Sequence, residues 1–579
     1  MATPSESAFD LVIRGGTVID GSGQRRFAAD VGIRGATIIA VEPGLPPGRE
    51  EIDATGMLVT PGFVDVHTHY DAQVTWDPQV TPSSGHGVTT VVMGNCGVGF
   101  APAQPSEHKW LIGLMEGVED IPGSAMTEGM IWEWEQFPEY LDAIARKRRS
   151  VDICAQVPHG ALRAYVMGRR GAKHEAATDE DLAAMAKLVR EGVEAGALGF
   201  STSRTPIHKG IDGEYVPGTF ADARELWALG RAVVEGGGVM FQMTGNHVDM
   251  ADEFDWMRRM AGETGVRISF NLLQTDQKPD LWKTMLDKLE QAEREDLPIW
   301  AQVAGRPAGI LMTWQGSAIP FLPYPSYMPL HHLPFAQRLA KLQDPSLKAK
   351  LVQEKPFSIG AFEDYIISSF HKMYRLGDAP NYEPEPSESA TARATREGQS
   401  APGIVWDWMM ENEGQGIVYF PIFGYAEGNM EALRHLLEHP RTRLGLGDGG
   451  AHCGAICDAS IQTFMLTHWA RDRTRGAKLG LEHVVQTISH DTATFYGLDD
   501  RGLVRPGYKA DLNVIDFEGL HLHAPRIVRD LPAEGRRFVQ DADGYVATIV
   551  SGKVTQRGGS PTGELPGELV RGRKSAPAA

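Results

Sequence analysis

Two histidines separated by a single residue end an apolar segment near the start of the chain. They are His67 and His69 in the sequence PGFVDVHTHYD. In a β-strand, residues i and i+2 point to the same side and lie about 7 Å apart along the chain. Both imidazoles could therefore bind one cation at about 2.1 Å, as in a zinc site. The pattern indicates a metal centre at the carboxyl end of a buried strand.

The pair lies in a long region, residues 59–504, in which strands and helices alternate. TTVVMGN, VDICAQVPHG and ALGFSTS have the apolar, β-branched composition of buried strands. TDEDLAAMAKLVREGVEAG has apolar residues at helical spacing, with Thr178 as its N-cap and Gly196 near its C-terminal end. The alternation predicts an α/β fold, a (β/α)8 TIM-like barrel in which functional residues follow the carboxyl ends of the strands.

Both ends of the chain have a different pattern, of short strands separated by glycine-rich turns. DLVIRGGTVID and GYVATIVSGKVTQRGG are examples from the two ends. We expect residues 1–58 and 505–579 to form one small β-sandwich domain. Stretches near residues 275–345 and 376–402 are rich in proline or polar residues and interrupt the barrel pattern. They are predicted to be insertions or lids.

The composition excludes several classes of partner. The chain has 579 residues and a formal net charge of −19, which disfavours nucleic acid and anionic membranes because both bind basic surfaces. The N-terminus has no signal-peptide pattern, and no apolar run reaches the length of a membrane span. With four cysteines, the chain has no dense disulfide framework. We expect a cytoplasmic protein that acts on a small molecule; assembly into a homo-oligomer stays open.

Several segments resemble the amidohydrolase superfamily, and more closely its N-acyl-D-amino-acid deacylases. The first is the one that carries His67 and His69. HGVTTVVMGNCG is similar to the deacylase segment whose cysteine ligates zinc, which gives that role to Cys96. GLGDGG resembles the segment with the catalytic aspartate, here Asp448. PHGALR resembles a histidine-containing strand end, which makes His159 a site candidate, and YKADLNVID resembles the return into the sandwich domain.

The resemblance implies a zinc hydrolase that cleaves linear N-acyl amides. His67, His69, Cys96 and Asp448 would suffice for one zinc, and a second zinc stays open. A divalent metal polarises the amide carbonyl and lowers the pKa of a bound water. A carboxylate takes the proton of the water and returns it to the leaving nitrogen, and the resemblance gives that role to Asp448.

The chain departs from the deacylases at the predicted fifth and sixth strands, where that family has two more histidine ligands. Gln242 takes the first position, and Phe270 or Asn271 the second. His247 and His452 are candidate replacements. An amide oxygen is a poor zinc ligand beside imidazole or thiolate. Gln242 and Asn271 are therefore expected to orient substrate or water.

The cations with which deacylases hold the substrate carboxylate are also missing. The corresponding segments, NLLQ and GGAHCGAICD, contain no lysine or arginine. Arg204 and Arg306 are the nearest replacements, since a guanidinium can bind a carboxylate through two hydrogen bonds. A neutral or aryl amide is the alternative substrate, and the aromatic segment PFLPYPSYM favours an apolar pocket for it.

Two further functions stay open at this point. A cyclic-amide hydrolase of the dihydropyrimidinase kind would need a carboxylated lysine on the fourth strand, and GALGFSTS has no lysine. A non-catalytic scaffold on the same fold would account for the missing histidines. It would not account for the presence of His67, His69, Cys96 and Asp448.

Overall fold

A parallel sheet of eight strands forms the centre of the computed structural model, which describes residues 8–578. We number these barrel strands in chain order: β1 Phe63–Asp65, β2 Val88–Met93, β3 Asp152–Pro158, β4 Gly199–Ser203, β5 Met240–Thr244, β6 Arg267–Asn271, β7 Ile299–Val303 and β8 Thr442–Leu444. Strands that are consecutive in the chain are also neighbours in the sheet. The strands predicted from TTVVMGN, VDICAQVPHG and ALGFSTS are therefore confirmed as β2, β3 and β4.

The first and last barrel strands meet just beyond their carboxyl ends. Thr68 and Gly449 form a parallel bridge there. The amide of His69 donates a hydrogen bond to the carbonyl of Gly449 at 2.8 Å, and the amide of Asp448 donates one to the carbonyl of His67 at 2.9 Å. These contacts close the sheet, which confirms the predicted TIM-like barrel. The closure also brings the side chains of His67, His69 and Asp448 close together.

Helices connect successive barrel strands. The helix predicted from TDEDLAAMAKLVREGVEAG is Asp179–Glu194, and the side chain of Thr178 caps it by accepting a hydrogen bond from the amide of Asp181. The other helices that follow barrel strands are His108–Glu119, Gly123–Gly129 and Phe137–Ala145 after β2, His159–Met167 and Arg169–Ala172 after β3, Ala223–Glu235 after β4, Met250–Thr264 after β5, Leu281–Arg294 after β6, Glu431–Glu438 directly before β8, and Ile461–Phe464, the π-helix Met465–Asp472, Leu481–Ile488 and His490–Phe495 after β8. Within residues 8–578, no helix has both the length and the apolar character to cross a membrane.

The two ends of the chain form one nine-stranded sheet beside the barrel. Its strands are Phe9–Val18, Phe27–Arg34, Thr37–Glu42, Gly48–Asp53 and Leu58–Pro61 from the N-terminal end, and Leu512–Ile515, Tyr545–Val550, Lys553–Arg557 and Ser560–Pro561 from the C-terminal end. The two halves join where Leu58–Pro61 pairs antiparallel with Leu512–Ile515. The strand-rich domain expected from both chain ends is therefore confirmed.

The longest excursion from the barrel lies between β7 and β8, and we call residues 304–430 the β7–β8 insertion. Its three-stranded sheet contains Gly309–Met312, Tyr374–Leu376 and Ile417–Pro421, and its helices are Phe335–Leu342, Pro345–Leu351, Ala361–Ser368, Ala390–Glu397 and Ala401–Gly414. These elements have an apolar core of their own around Trp314 and Trp406. The insertion predicted near residues 275–345 therefore began too early, because helix Leu281–Arg294 and β7 belong to the barrel. The stretch 376–402 is part of the same insertion.

Candidate metal centre and substrate cavity

His67 and His69 lie just past the carboxyl end of β1. Their ring centroids are 5.4 Å apart, and both side chains are buried. Nδ1 of His67 forms a hydrogen bond with Oε1 of Gln302 on β7 at 2.8 Å, so Nε2 is the nitrogen that faces the centre. Burial lowers the pKa of His67 to about 4. The ring is therefore neutral at pH 7, which is the form that binds a metal.

Cys96 follows β2 and brings its sulfur next to the histidines. Its Sγ is 3.3 Å from Nε2 of His67. One donor atom from each of His67, His69 and Cys96 lies within 4.8 Å of the other two, and residues 8–578 contain no other such group of three histidine, cysteine or acidic residues. The backbone of Cys96 has a φ of +56°, in the left-handed region that favours glycine. Strain of this kind is concentrated at functional sites.

Asp448 comes to the same centre from the segment that follows β8. Its Oδ1 is 3.5 Å from Nε2 of His67 and 3.7 Å from Nε2 of His69. Burial raises the pKa of Asp448, but the contact with His69 and the attraction of the neighbouring imidazoles in their protonated form outweigh it, so the pKa is well below its usual range. Asp448 is therefore an ionised carboxylate beside three potential metal ligands.

Gln242 and Asn271 stand at the positions where histidines were expected, and they are hydrogen-bonded to each other. Oε1 of Gln242 accepts a hydrogen bond from the amide of Cys96 at 3.1 Å, and its Nε2 donates to Oδ1 of Asn271 at 3.3 Å. Asn271 donates to Thr244 at 3.2 Å, and the hydroxyl of Thr244 donates to Sγ of Cys96 at 3.0 Å. The network holds Cys96 in place. Gln242 does not line the cavity, whereas Asn271 does.

Glu119 is a site residue that the sequence analysis missed. It is the last residue of helix His108–Glu119 and is buried. One carboxylate oxygen lies 3.4 Å from Nδ1 of His69, and the other lies 3.6 Å from Nε2 of His452. Burial lowers the pKa of His69, but the charge of Glu119 and the contact with Asp448 outweigh burial and raise it well above its ordinary value. The centre therefore carries negative charge, which favours a bound cation.

The other candidate histidines have different surroundings. His452 is next to Glu119 and lines the cavity, as do His247 and His208, of which the last was not predicted. His159 is not brought to the site. Its ring is buried between Glu225 and Thr202, with hydrogen bonds of 2.8 Å to each.

Neither arginine proposed for a substrate carboxylate lines the cavity. Arg306 is buried and forms an ion pair with Asp458 at 2.9 Å. Arg204 forms an ion pair with Glu253 at 3.2 Å and donates to the carbonyl of Ala221 at 2.6 Å. Both guanidinium groups are engaged in structural contacts, so the structure does not bring either of them to the cavity.

A cavity of about 260 Å³ opens in front of His67, His69 and Cys96. Its polar wall includes His69, Glu119, Asp448 and Asn271. Its apolar wall comes from several elements and contains Val118, Ile207, Leu273, Ala308, Ile310, Phe362, Ile422, Phe423, Leu446 and Ile456. A substrate whose reacting group is held at the centre would therefore also contact these apolar side chains.

Comparison with known proteins identifies the family of the chain. The model of the amidohydrolase family (Amidohydro_3) matches residues 50–556. The N-acyl-D-aspartate deacylase of Alcaligenes xylosoxydans xylosoxydans is 27% identical over 97% of this chain and 95% of its own length. The D-aminoacylase of the same organism is 35% identical over 41% of this chain and 45% of its own length.

A solved structure shows the same fold. The N-acyl-D-glutamate deacylase of Bordetella bronchiseptica, solved with zinc and a phosphonate inhibitor that mimics the tetrahedral intermediate, has a TM-score of 0.65. It is 22% identical, with 97% of this chain and 99% of that chain covered. The resemblance expected from the sequence motifs is confirmed. The chain belongs to the amidohydrolase family and is a hydrolase that acts on carbon–nitrogen bonds other than peptide bonds.

Proposed function

We propose that this protein is a zinc-dependent hydrolase of linear N-acyl amides, with chemistry similar to that of the N-acyl-D-amino-acid deacylases. The observation that carries the proposal is the convergence of His67, His69 and Cys96 with Asp448 in the wall of one cavity that also has many apolar side chains. Relatives named as deacylases support the choice of an acyl amide.

The side chains at the centre fit a single zinc ion. Two imidazoles and one sulfur are ligands that zinc binds, and three protein ligands leave the fourth tetrahedral position open for water or substrate, beside the carboxylate of Asp448. When bound, zinc would supply polarisation of the amide carbonyl and a lower pKa for water. Gln242 and Asn271 hydrogen-bond to each other where further histidines would be needed, so we propose one tightly bound zinc per chain.

Asp448 has the properties of the acid–base group. As an ionised carboxylate it can accept a proton from the attacking water while the water oxygen bonds to the carbonyl carbon. The same carboxyl can then donate that proton to the nitrogen as the carbon–nitrogen bond breaks. The products are a carboxylic acid and an amine. His67 and His69 hold the position of Asp448 through contacts of 3.5 and 3.7 Å.

Metal removal combined with an amide screen tests the proposal. Protein purified without added metal should contain about one equivalent of zinc. It should hydrolyse at least one member of a panel of N-acyl-D-amino acids, N-acyl-L-amino acids and neutral N-acyl amines. A chelator should abolish the activity, and zinc should restore it. Two reproducible equivalents of metal would contradict the single-site assignment, and hydrolysis that survives complete metal removal would contradict the mechanism.

A further inference from the structure

The charges around the cavity restrict what can bind in it. Among residues 8–578, no lysine or arginine lines the cavity, whereas Glu119 and Asp448 do. Burial lowers the pKa of His208 to about 3 and that of His247 to about 4, which leaves both rings neutral at pH 7. Of the other imidazoles in the lining, His67 and His69 belong to the centre, and His452 lies 3.6 Å from Glu119. Apart from the proposed zinc, the walls therefore carry the carboxylates of Glu119 and Asp448 and no side-chain cation that is free to pair with a substrate carboxylate.

A substrate carboxylate would be poorly placed in these surroundings. Burying a charge is unfavourable unless it is paired, and placing it near like charges adds to the cost. The two arginines that the sequence suggested for substrate binding cannot neutralise such a carboxylate, because Arg204 is paired with Glu253 and Arg306 with Asp458. The rest of the lining offers neutral polar groups such as Thr205 and Asn271 and the apolar side chains of Ile310, Phe362 and Phe423, and none of these carries a positive charge.

Resting on the function proposed above, we infer that the substrate is a neutral, apolar N-acyl amine without a carboxylate next to the scissile amide. The apolar wall holds its hydrocarbon part. The carboxylates of Glu119 and Asp448 discriminate against acidic analogues.

A matched pair of substrates isolates the carboxylate. N-acyl-2-phenylethylamine differs from N-acyl-phenylalanine only by lacking that group, and the acid is tested as both enantiomers. The zinc-loaded protein should show a kcat/KM at least about tenfold higher for the neutral amide, given the cost of like charges in a dry site. An equal or higher value for either enantiomer of the acid overturns the inference and leaves amide hydrolysis intact.

Binding separates this inference from the proposed function. If the zinc-loaded protein hydrolyses neither compound, calorimetry compares their dissociation constants. Tighter binding of the neutral amide supports the inference, even though neither compound is a substrate for the proposed activity. Tighter binding of the acid overturns it.

A charge added to the cavity wall provides a second test. Leu273 lines the cavity, and Leu273→Lys places a cation there, with Leu273→Met as the control for size and shape. The lysine variant should raise the ratio of acid to neutral hydrolysis at least about tenfold, and the methionine variant should leave it unchanged. A ratio that does not respond to the lysine overturns the inference that wall charge excludes the acid.

Discussion

The carboxylate of Glu119 lies 3.4 Å from Nδ1 of His69, while the other ring nitrogen of His69 faces Asp448 at 3.7 Å. A carboxylate behind a metal-binding histidine fixes the orientation and tautomer of the ring and makes it a stronger ligand. Gln302 has the corresponding contact with His67, at 2.8 Å. Each histidine of the pair is thus positioned by a polar side chain from another part of the barrel.

Replacement of Glu119 should weaken zinc binding. Glu119→Gln keeps the size of the side chain but removes the charge behind His69, so we expect about a 10- to 100-fold loss of zinc affinity. Competition with a chromogenic chelator measures this without any assay of activity. Glu128→Gln, on the exposed part of the next helix, is the matched control. Unchanged affinity in Glu119→Gln would show that the contact does not position His69.

The sequence predicted the residues of the centre, such as His67 and His69, but not the contact of Glu119 with His69. His67 and His69 are recognisable because alternation along a strand puts neighbours i and i+2 on one face. Glu119 comes from a helix in the loop after β2, and only the folded chain brings it to His69. The same limit explains Arg306, since its partner Asp458 is 152 positions further along the chain. Residues that pair across such long sequence separations produce no periodic pattern in the sequence.

The position of the insertion shows a second limit. Prolines and aromatic residues correctly marked an interruption, but the amphipathic helix Leu281–Arg294 and the short strand β7 were included in it. A five-residue strand carries too little pattern to be separated from a loop. The insertion reaches the cavity through Ile310, Phe362 and Phe423 and their neighbours.

Truncation of Phe423 should change the preference for substrate size. Phe423→Ala removes an aromatic ring from the cavity wall, so kcat/KM should rise for bulkier amides relative to small ones, and the zinc content should stay the same. A series of substrates with increasing hydrocarbon length measures the change. Phe357→Ala is the control, because that ring is 53% exposed and does not line the cavity. If kcat/KM depends on substrate length in the same way in both variants, the substrate does not contact Phe423.

Glu383 should make the stability of the insertion depend on pH. Burial raises the pKa of Glu383, but hydrogen bonds from His468 and Arg473 outweigh it and hold the pKa at about 2 instead of 4.5. A lowered pKa stabilises the fold above pH 4.5, and the contribution, about 3 kcal/mol, is lost as the pH falls toward the folded value.

Denaturant titrations of the parent and Glu383→Gln between pH 7 and pH 3 measure this contribution. The difference in the free energy of unfolding should be constant down to about pH 4.5 and should shrink below it. Glu427→Gln, at an exposed position of the same insertion, should show a constant difference. A difference for Glu383→Gln that is independent of pH would mean that the ion pair with Arg473 does not set the titration.

The most direct test of the account is the turnover of Asp448→Asn measured together with its zinc content. The amide keeps the shape of the side chain but cannot accept the proton of the water. Turnover should fall about a hundred- to ten-thousand-fold, with little change in KM and with zinc retained by His67, His69 and Cys96. His67→Ala should instead lose zinc and activity together. Activity of Asp448→Asn within a few-fold of the parent would contradict the assignment of Asp448 as the acid–base group.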